Sequence, residues 1–273
     1  MKDIAYATKS AAQKLDVYTP TGTGPFPVVL WIHAGAWQSG DKKLPITAHQ
    51  LLLLASGYAV VSVNYRLSAE AKFPAQIHDV KAAVRWVRAN AALYKFDPNR
   101  VGVWGHSAGA HLAALLGTSR GVAGLTDVSL GNPTQSEAVK AVVAQATPVY
   151  LLTMDQQLAI DGCPKYGGVG FNAASSPASR LLGAALPTIQ SKVVLASPRA
   201  HVNAGDSKFL LQHGTGDCTI PWQQGDFLHT RLRAVLGTSA STLDLFPGGK
   251  HDDINFRSSA NVARIVTFLR SAL

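Results

Sequence analysis

The chain has 273 residues, 47% of them hydrophobic, enough to bury a full core, and an α/β protein of this length is expected to form a single domain over residues 1–273. No stretch approaches the roughly 20 uninterrupted apolar residues of a membrane span, so a soluble protein with no membrane partner is expected. The formal charge is +9, yet only 15% of residues are charged. The basic residues (Lys42-Lys43, Arg85/Arg88, Arg231/Arg233) are scattered without a long run or interleaved aromatics, which argues for a solvated basic surface and against a nucleic-acid partner.

In chain order, Gln13 to Tyr18 reads as an antiparallel edge strand ended by the turn Thr19-Pro-Thr-Gly22. Val28 to Ile32 is a buried strand. Leu51 to Val63, the longest apolar run, is broken by Ser56-Gly57 and so reads as a helix end followed by a strand over Tyr58 to Asn64. Ile77, Val80, Val84 and Val87 recur at helical spacing with Lys81, Arg85 and Arg88 off that face, predicting a surface helix from Pro74 to Leu93. Asp97-Pro98-Asn99 turns the chain into a strand, Val101 to Trp104, and an apolar helix begins at Ala110. Further strands are expected at Val139 to Ala144, Phe209 to Gln212 and Thr242 to Phe246, with a closing helix from Ala260 to Leu273. This alternation predicts an α/β fold with a mostly parallel central sheet flanked by helices. Residues 150–204 break the rhythm. They are rich in Gly, Ser, Pro and Ala, with one short helical piece after Ser176-Pro177, and read as an irregular, lid-like insertion. No metal-ligand cluster, dinucleotide fingerprint or phosphate loop occurs, and Gly167-Gly-Val-Gly170 is too isolated to count, so neither metal nor cofactor is expected.

Between the strand at Val101 to Trp104 and the helix from Ala110 lies Gly105-His106-Ser107-Ala108-Gly109. Strand, sharp turn and helix are the context in which G-x-S-x-G marks a nucleophile elbow. Serine needs a base, and the base needs an orienting carboxylate. His251, in the glycine-rich loop Pro247-Gly-Gly-Lys-His after the last strand, is the candidate base. His229 falls on a helix, and His213 at a strand end is expected to orient a loop. Asp217, in His213-Gly-Thr-Gly-Asp after the strand Phe209 to Gln212, is the candidate acid, since ligands bind at the carboxyl ends of such strands. Asp206 precedes that strand, and Asp252 and Asp253 adjoin His251 too closely to orient it. After Ile32, His33-Ala-Gly-Ala-Trp37 resembles an HGGG-type loop, with the N–H groups of Gly35 and Ala36 joining that of Ala108 as an oxyanion hole. His33 is expected to hydrogen-bond within this loop, and His106 and His111 to be structural. Trp37 and Trp222 flank these loops as candidate walls of a substrate pocket.

Cys163 and Cys218 are too few for a disulfide scaffold and lack metal-ligand spacing. They are either two separate buried thiols or a bridge closing a loop of about 55 residues, which by chain entropy contributes up to roughly 4 kcal/mol. A bridge would indicate an oxidising compartment. The N-terminus carries no apolar signal segment, so a signal peptide is expected to have been removed or never present.

Taken together, Gln13-Lys-Leu-Asp-Val-Tyr18, His33 to Lys42, Tyr58 to Ser68, Phe73-Pro-Ala-Gln76, Asp79 to Trp86, Val103 to Gly109, Ser176-Pro177 with Ser179 to Gly183, His213 to Pro221 and Gly249-Lys-His251 span nearly the whole chain. In these motifs the chain resembles α/β-hydrolase esterases of the bacterial feruloyl and acetyl esterase kind, close to the hormone-sensitive-lipase-like carboxylesterases. The resemblance implies an α/β-hydrolase fold and cofactor-free hydrolysis of carboxylic esters. It also implies short acyl, acetyl or feruloyl groups, with a small ester or acylated carbohydrate as substrate. In secreted members the cysteine beside the acid is often paired, which implies a Cys163–Cys218 bridge and a secreted or periplasmic location. Alternatives on the same scaffold are an amidase or formamidase-like enzyme, a polyester-degrading esterase, or a silent fold used for binding. Alanines at 34 and 36 and Gly225 depart from the usual glycines and serine, and Thr147-Pro-Val-Tyr150 lacks the usual acidic residue.

Overall fold

In a computed structural model describing residues 1–273, eight strands form one sheet. They are β1 (Ile4–Ala5), β2 (Lys14–Tyr18), β3 (Phe26–Ile32), β4 (Ala59–Val63), β5 (Phe96–His106), β6 (Ala141–Gln145), β7 (Lys208–Gly214) and β8 (Ser241–Phe246), in the order β1-β2-β4-β3-β5-β6-β7-β8. From β4 to β8 neighbouring strands are parallel; β1 and β2 are antiparallel additions at one side. The expected edge strand β2 is therefore one position inside the edge, because the two-residue β1 pairs outside it. A two-residue strand has no periodicity for a sequence reading to detect. The turn Asp97 to Asn99 lies inside β5, where the register against β3 jumps between Phe26 and Val28.

Eight α-helices accompany the sheet: α1 (Ala75–Ala89), α2 (Ala91–Tyr94), α3 (Ala108–Thr118), α4 (Met154–Ile160), α5 (Pro177–Leu182), α6 (Gln190–Leu195), α7 (Gln223–Leu236) and α8 (Ser259–Ala272). Both sheet faces are covered, so the central strands are apolar at every position rather than alternating. Along β3, Val28, Leu30 and Ile32 join the core beneath α1 and α3. Val29 and Trp31 join a second core with Ile265 and Leu269 of α8 and Leu53 of a 3₁₀ helix, His49–Ser56. No helix is long and apolar enough to cross a membrane.

Two expectations are corrected. α1 is not a surface helix: Lys81 and Arg85 are 0% and 1% exposed. The segment between α3 and β6 folds over the polar face of α1. There the Lys81 ammonium meets Ser119 O (2.9 Å) and Glu137 (2.8 Å), and the Arg85 guanidinium donates to Asp127 O (2.7 Å), Gly131 O (3.0 Å) and Glu137 (3.3 Å). Buried cations survive because carbonyls and one carboxylate satisfy them. The insertion is also more ordered than expected. Residues 150–204 contain α4, α5 and α6 joined by 3₁₀ turns, and only α5, with Ser176 capping Ser179 N and Pro177 at its first turn, was signalled by sequence.

The edge of this core is fixed by Asp79 of α1, fully buried, which accepts from Arg66 Nη2 (2.7 Å), Arg66 Nε (2.9 Å), Arg66 N (2.9 Å) and Gln13 Nε2 (2.7 Å). Asp79→Ala leaves the buried Arg66 guanidinium uncompensated and is expected to cost about 3–5 kcal/mol. Urea unfolding followed by circular dichroism measures this, and a loss below about 1 kcal/mol would contradict it.

Candidate active site

β5 ends in Gly105-His106, Ser107 forms the turn, and α3 starts at Ala108. The turn is tight because two glycines permit it: a Cβ on Gly105 would collide with Gly109, and one on Gly109 with the Ile32 carbonyl. Ser107 takes φ 55°, ψ −121°, a sparsely populated region for a non-glycine residue, and its N–H donates to Gln145 O at the end of β6 (2.8 Å).

Ser107 Oγ lies 2.9 Å from His251 Nε2, and His251 Nδ1 lies 2.7 Å from Asp217 Oδ2. Asp217 is buried. Its Oδ1 accepts from Thr219 N (2.8 Å) and Ile220 N (2.9 Å), and its Oδ2 also lies 3.5 Å from His213 Nε2. Burial alone would raise the carboxyl's pKa. The hydrogen bonds from His213 and His251 outweigh it and hold the group well below the ordinary carboxylate range, so it is ionised at neutral pH. An ionised Asp217 fixes the His251 proton on Nδ1, leaving the Nε2 lone pair to accept the Ser107 hydroxyl proton.

The two loops carrying these groups touch through glycines. Gly216 N donates to Gly249 O (2.9 Å), and a Cβ at Gly214 would collide with that same carbonyl. His106 adds a third tether, its Nε2–H donating to His251 O (2.9 Å). Burial, reinforced by the neighbouring His251, lowers the His106 pKa to about 4, so its ring is a neutral donor. His213 donates to Ile220 O (3.0 Å), orienting the loop as expected, and His111 donates to Ala196 O (2.7 Å).

The turn after β3 runs with positive φ through Gly35 (113°), Ala36 (52°) and Trp37 (59°). His33 bonds within it, Nδ1 to Ala34 O (2.7 Å), and its ring stacks on Tyr65 with centroids 4.4 Å apart. Gln38 N and Ser39 N both donate to Gly35 O, which closes the turn and leaves the Ala36 N–H without an acceptor in the protein. The Ala108 N–H, first in α3, has no partner one helical turn back.

Ala36, Trp37, Ser107 and Ala108 share a cavity of about 20 Å³ with Pro148, Tyr166, Phe171, Pro177, Thr219 and Ile220. Trp37 is thus a pocket wall, also packed edge-on against His111. Gly35 is not among the lining residues; it shapes the turn that presents Ala36. Trp222, half-buried just before α7, lies outside the cavity wall. Tyr166 and Phe171, stacked at 4.6 Å, were missed: they are isolated aromatics in a glycine-rich stretch with no periodicity to mark them. Phe171 is set by Asp155 of α4, which accepts from Phe171 N (2.6 Å) and Asn172 N (2.9 Å). Cys163 and Cys218 are disulfide-bonded with Cα atoms 5.4 Å apart, joining the insertion to the Asp217 loop.

The profile of the BD-FAE family matches residues 15–232. Esterase LipC of Mycobacterium tuberculosis is 30% identical over 252 residues, an alignment covering 88% of this chain and 57% of LipC. Among solved structures, a truncated form of a carbohydrate esterase from gut microbiota superposes with TM-score 0.86 at 30% identity over 100% of this chain and 95% of that one. A bifunctional GH43-CE protein of Bacteroides eggerthii gives TM-score 0.86 at 33% identity over 100% of this chain and 35% of that one. The chain spans about half the length of the curated relatives it matches.

The disulfide closes a loop with a sequence separation of 55. Replacing both cysteines by alanine is therefore expected to cost up to about 4 kcal/mol in urea unfolding. Reductant should lower the parent's stability towards the variant's and leave the variant unaffected; an unchanged parent would contradict the expectation.

Proposed function

The chain belongs to the BD-FAE family, and on that footing we propose that it is a serine carboxylic ester hydrolase that removes short acyl groups, acetyl above all, from carbohydrate. The observation that carries the reading is the chain of hydrogen bonds from Ser107 through His251 to the ionised Asp217. In this reading His251 Nε2 takes the Ser107 proton as Oγ attacks the ester carbonyl, and Asp217 stabilises the imidazolium that forms. The N–H groups of Ala36 and Ala108, held by the Gly35 turn and the start of α3, receive the oxyanion; each such donor typically contributes about 2.7–4 kcal/mol to the transition state. His251 then protonates the departing alcohol, and water, activated by the same imidazole, releases the acid from the acyl-enzyme.

The acyl preference follows from the cavity beside Ser107. Its volume of about 20 Å³ is close to the roughly 10–15 Å³ that one water molecule needs, which suits an acetyl methyl better than a feruloyl ring. A carbohydrate alcohol is supported by two solved relatives, one a carbohydrate esterase and the other a bifunctional GH43-CE protein. The reading treats residues 1–273 as one domain, with residues 150–204 supplying one wall. The disulfide favours a secreted or periplasmic location.

Purified protein should hydrolyse p-nitrophenyl acetate with a kcat/KM at least tenfold above that for the butyrate, and methyl ferulate more slowly still. Ser107→Ala should lower kcat by about 10⁴-fold or more. Comparable turnover by the parent and Ser107→Ala would rule the assignment out.

A further inference from the structure

The two cysteines sit at corresponding places in the walls of the small cavity beside Ser107. Cys163 comes shortly before Tyr166, and Cys218 directly before Thr219 and Ile220; all three of these neighbours line the cavity. We propose that Tyr166 decides which acyl groups are accepted and that the Cys163–Cys218 bond is its positioning device. Breaking the bond then broadens acyl selectivity while the Ser107–His251–Asp217 chain stays in place.

The two walls differ in what else holds them. On the Asp217 side, Thr219 N and Ile220 N donate to Asp217 Oδ1 (2.8 and 2.9 Å), and Ile220 O accepts from His213 Nε2 (3.0 Å). Gly216 N donates to Gly249 O (2.9 Å), so that loop keeps its shape without the sulfurs. Phe171 is also fixed independently. Its N–H donates to Asp155 Oδ1 (2.6 Å), its carbonyl accepts from Ser176 Oγ (2.6 Å), and its ring is buried. Tyr166 has no such support. Every hydrogen bond of residues 164–170 is internal: Gly168 N donates to Lys165 O (3.0 Å), and Val169 N and Gly170 N donate to Tyr166 O (3.2 and 2.8 Å). A Cβ at Gly167 or Gly168 would meet nothing within 4 Å, so this glycine-rich segment lies in the open. Cys163 N donates to Leu158 O (2.8 Å), which ties the start of the segment to α4 but not to the Asp217 loop. Across the cavity, the sulfur–sulfur bond is what sets Tyr166 relative to Ile220. A close apolar wall discriminates between groups that differ by one methylene by about 10- to 200-fold, so releasing one ring is enough to change selectivity.

The inference rests on the esterase reading for what the cavity holds, so one arm of the test needs no turnover. Dithiothreitol reaches the bond because Cys218 is exposed; it takes the two sulfurs to thiols and is itself oxidised to a cyclic disulfide. In the reduced protein, the ratio of kcat/KM for p-nitrophenyl butyrate to that for the acetate should rise about tenfold, while the acetate value changes by less than about threefold. Tyr166→Ala, with the bond intact, should show the same rise and no further response to reductant. A uniform loss on both esters would assign the bond to Asp217 or to stability alone and overturn the proposal. An unchanged ratio, or parental selectivity in Tyr166→Ala, would do the same. In the second arm, hydrogen exchange at the Gly168, Val169 and Gly170 amides should quicken by about tenfold or more on reduction, while the Thr219 and Ile220 amides stay protected. Equal protection before and after reduction would overturn the proposal even in a protein that cleaves no ester. A parent that cleaves no ester yet shows this local release removes the esterase reading and upholds the positioning of Tyr166.

Discussion

The close approach of Gly109 to the end of β3 is the constraint on which the rest of the site depends. With no side chain at 109, the start of α3 rests directly on the Ile32 and His33 carbonyls. Any Cβ there would push the helix off the strand. Two results follow from this one contact. The link from β5 into α3 becomes so short that Ser107 is driven to positive φ, and the Ala108 N–H comes to lie beside the turn that carries Ala36. Backbone strain of this kind costs about 1–3 kcal/mol per residue. It persists because every residue of α3 is buried against the sheet, so relaxing the turn would unpack the helix.

The positions of Asp217 and His251 depend on a second glycine contact, between the loops after β7 and β8. The Gly216–Gly249 hydrogen bond and the fit of Gly214 against Gly249 set the spacing of Asp217 and His251 before any side-chain interaction forms. Asp217 is then saturated, with two backbone N–H groups on one oxygen and two imidazoles at the other. That saturation lets a carboxylate remain charged where burial opposes it. Gly225 faces His213 Nδ1, which is buried and has no partner; a Cβ there would sit 3.1 Å from it. His213 is therefore anchored from one side only, through its Nε2.

The parts legible in the sequence were those with a short-range signature. The parallel strands were readable as short apolar runs, and the elbow, the turn after β3 and the loops of Asp217 and His251 each carry glycine at a position the backbone needs. What escaped was set at long range. The polar stripe of α1 shows amphipathicity, but nothing local tells that residues 119–137 will cover it with carbonyls and Glu137. Similarly, Tyr166 and Phe171 become a cavity wall only because Asp155 and the disulfide fold the insertion back over Ser107. Trp222, half-buried at the start of α7, is near Asp217 in sequence but does not line the cavity that Ser107 shares.

The small cavity lined by Ser107 has walls on each side of a disulfide, and that bears on what it can admit. It is walled by Tyr166, Phe171, Thr219 and Ile220, which lie on both sides of the Cys163–Cys218 bond, so its width is held covalently. Widening it for a larger acyl group requires moving two segments that are tied together.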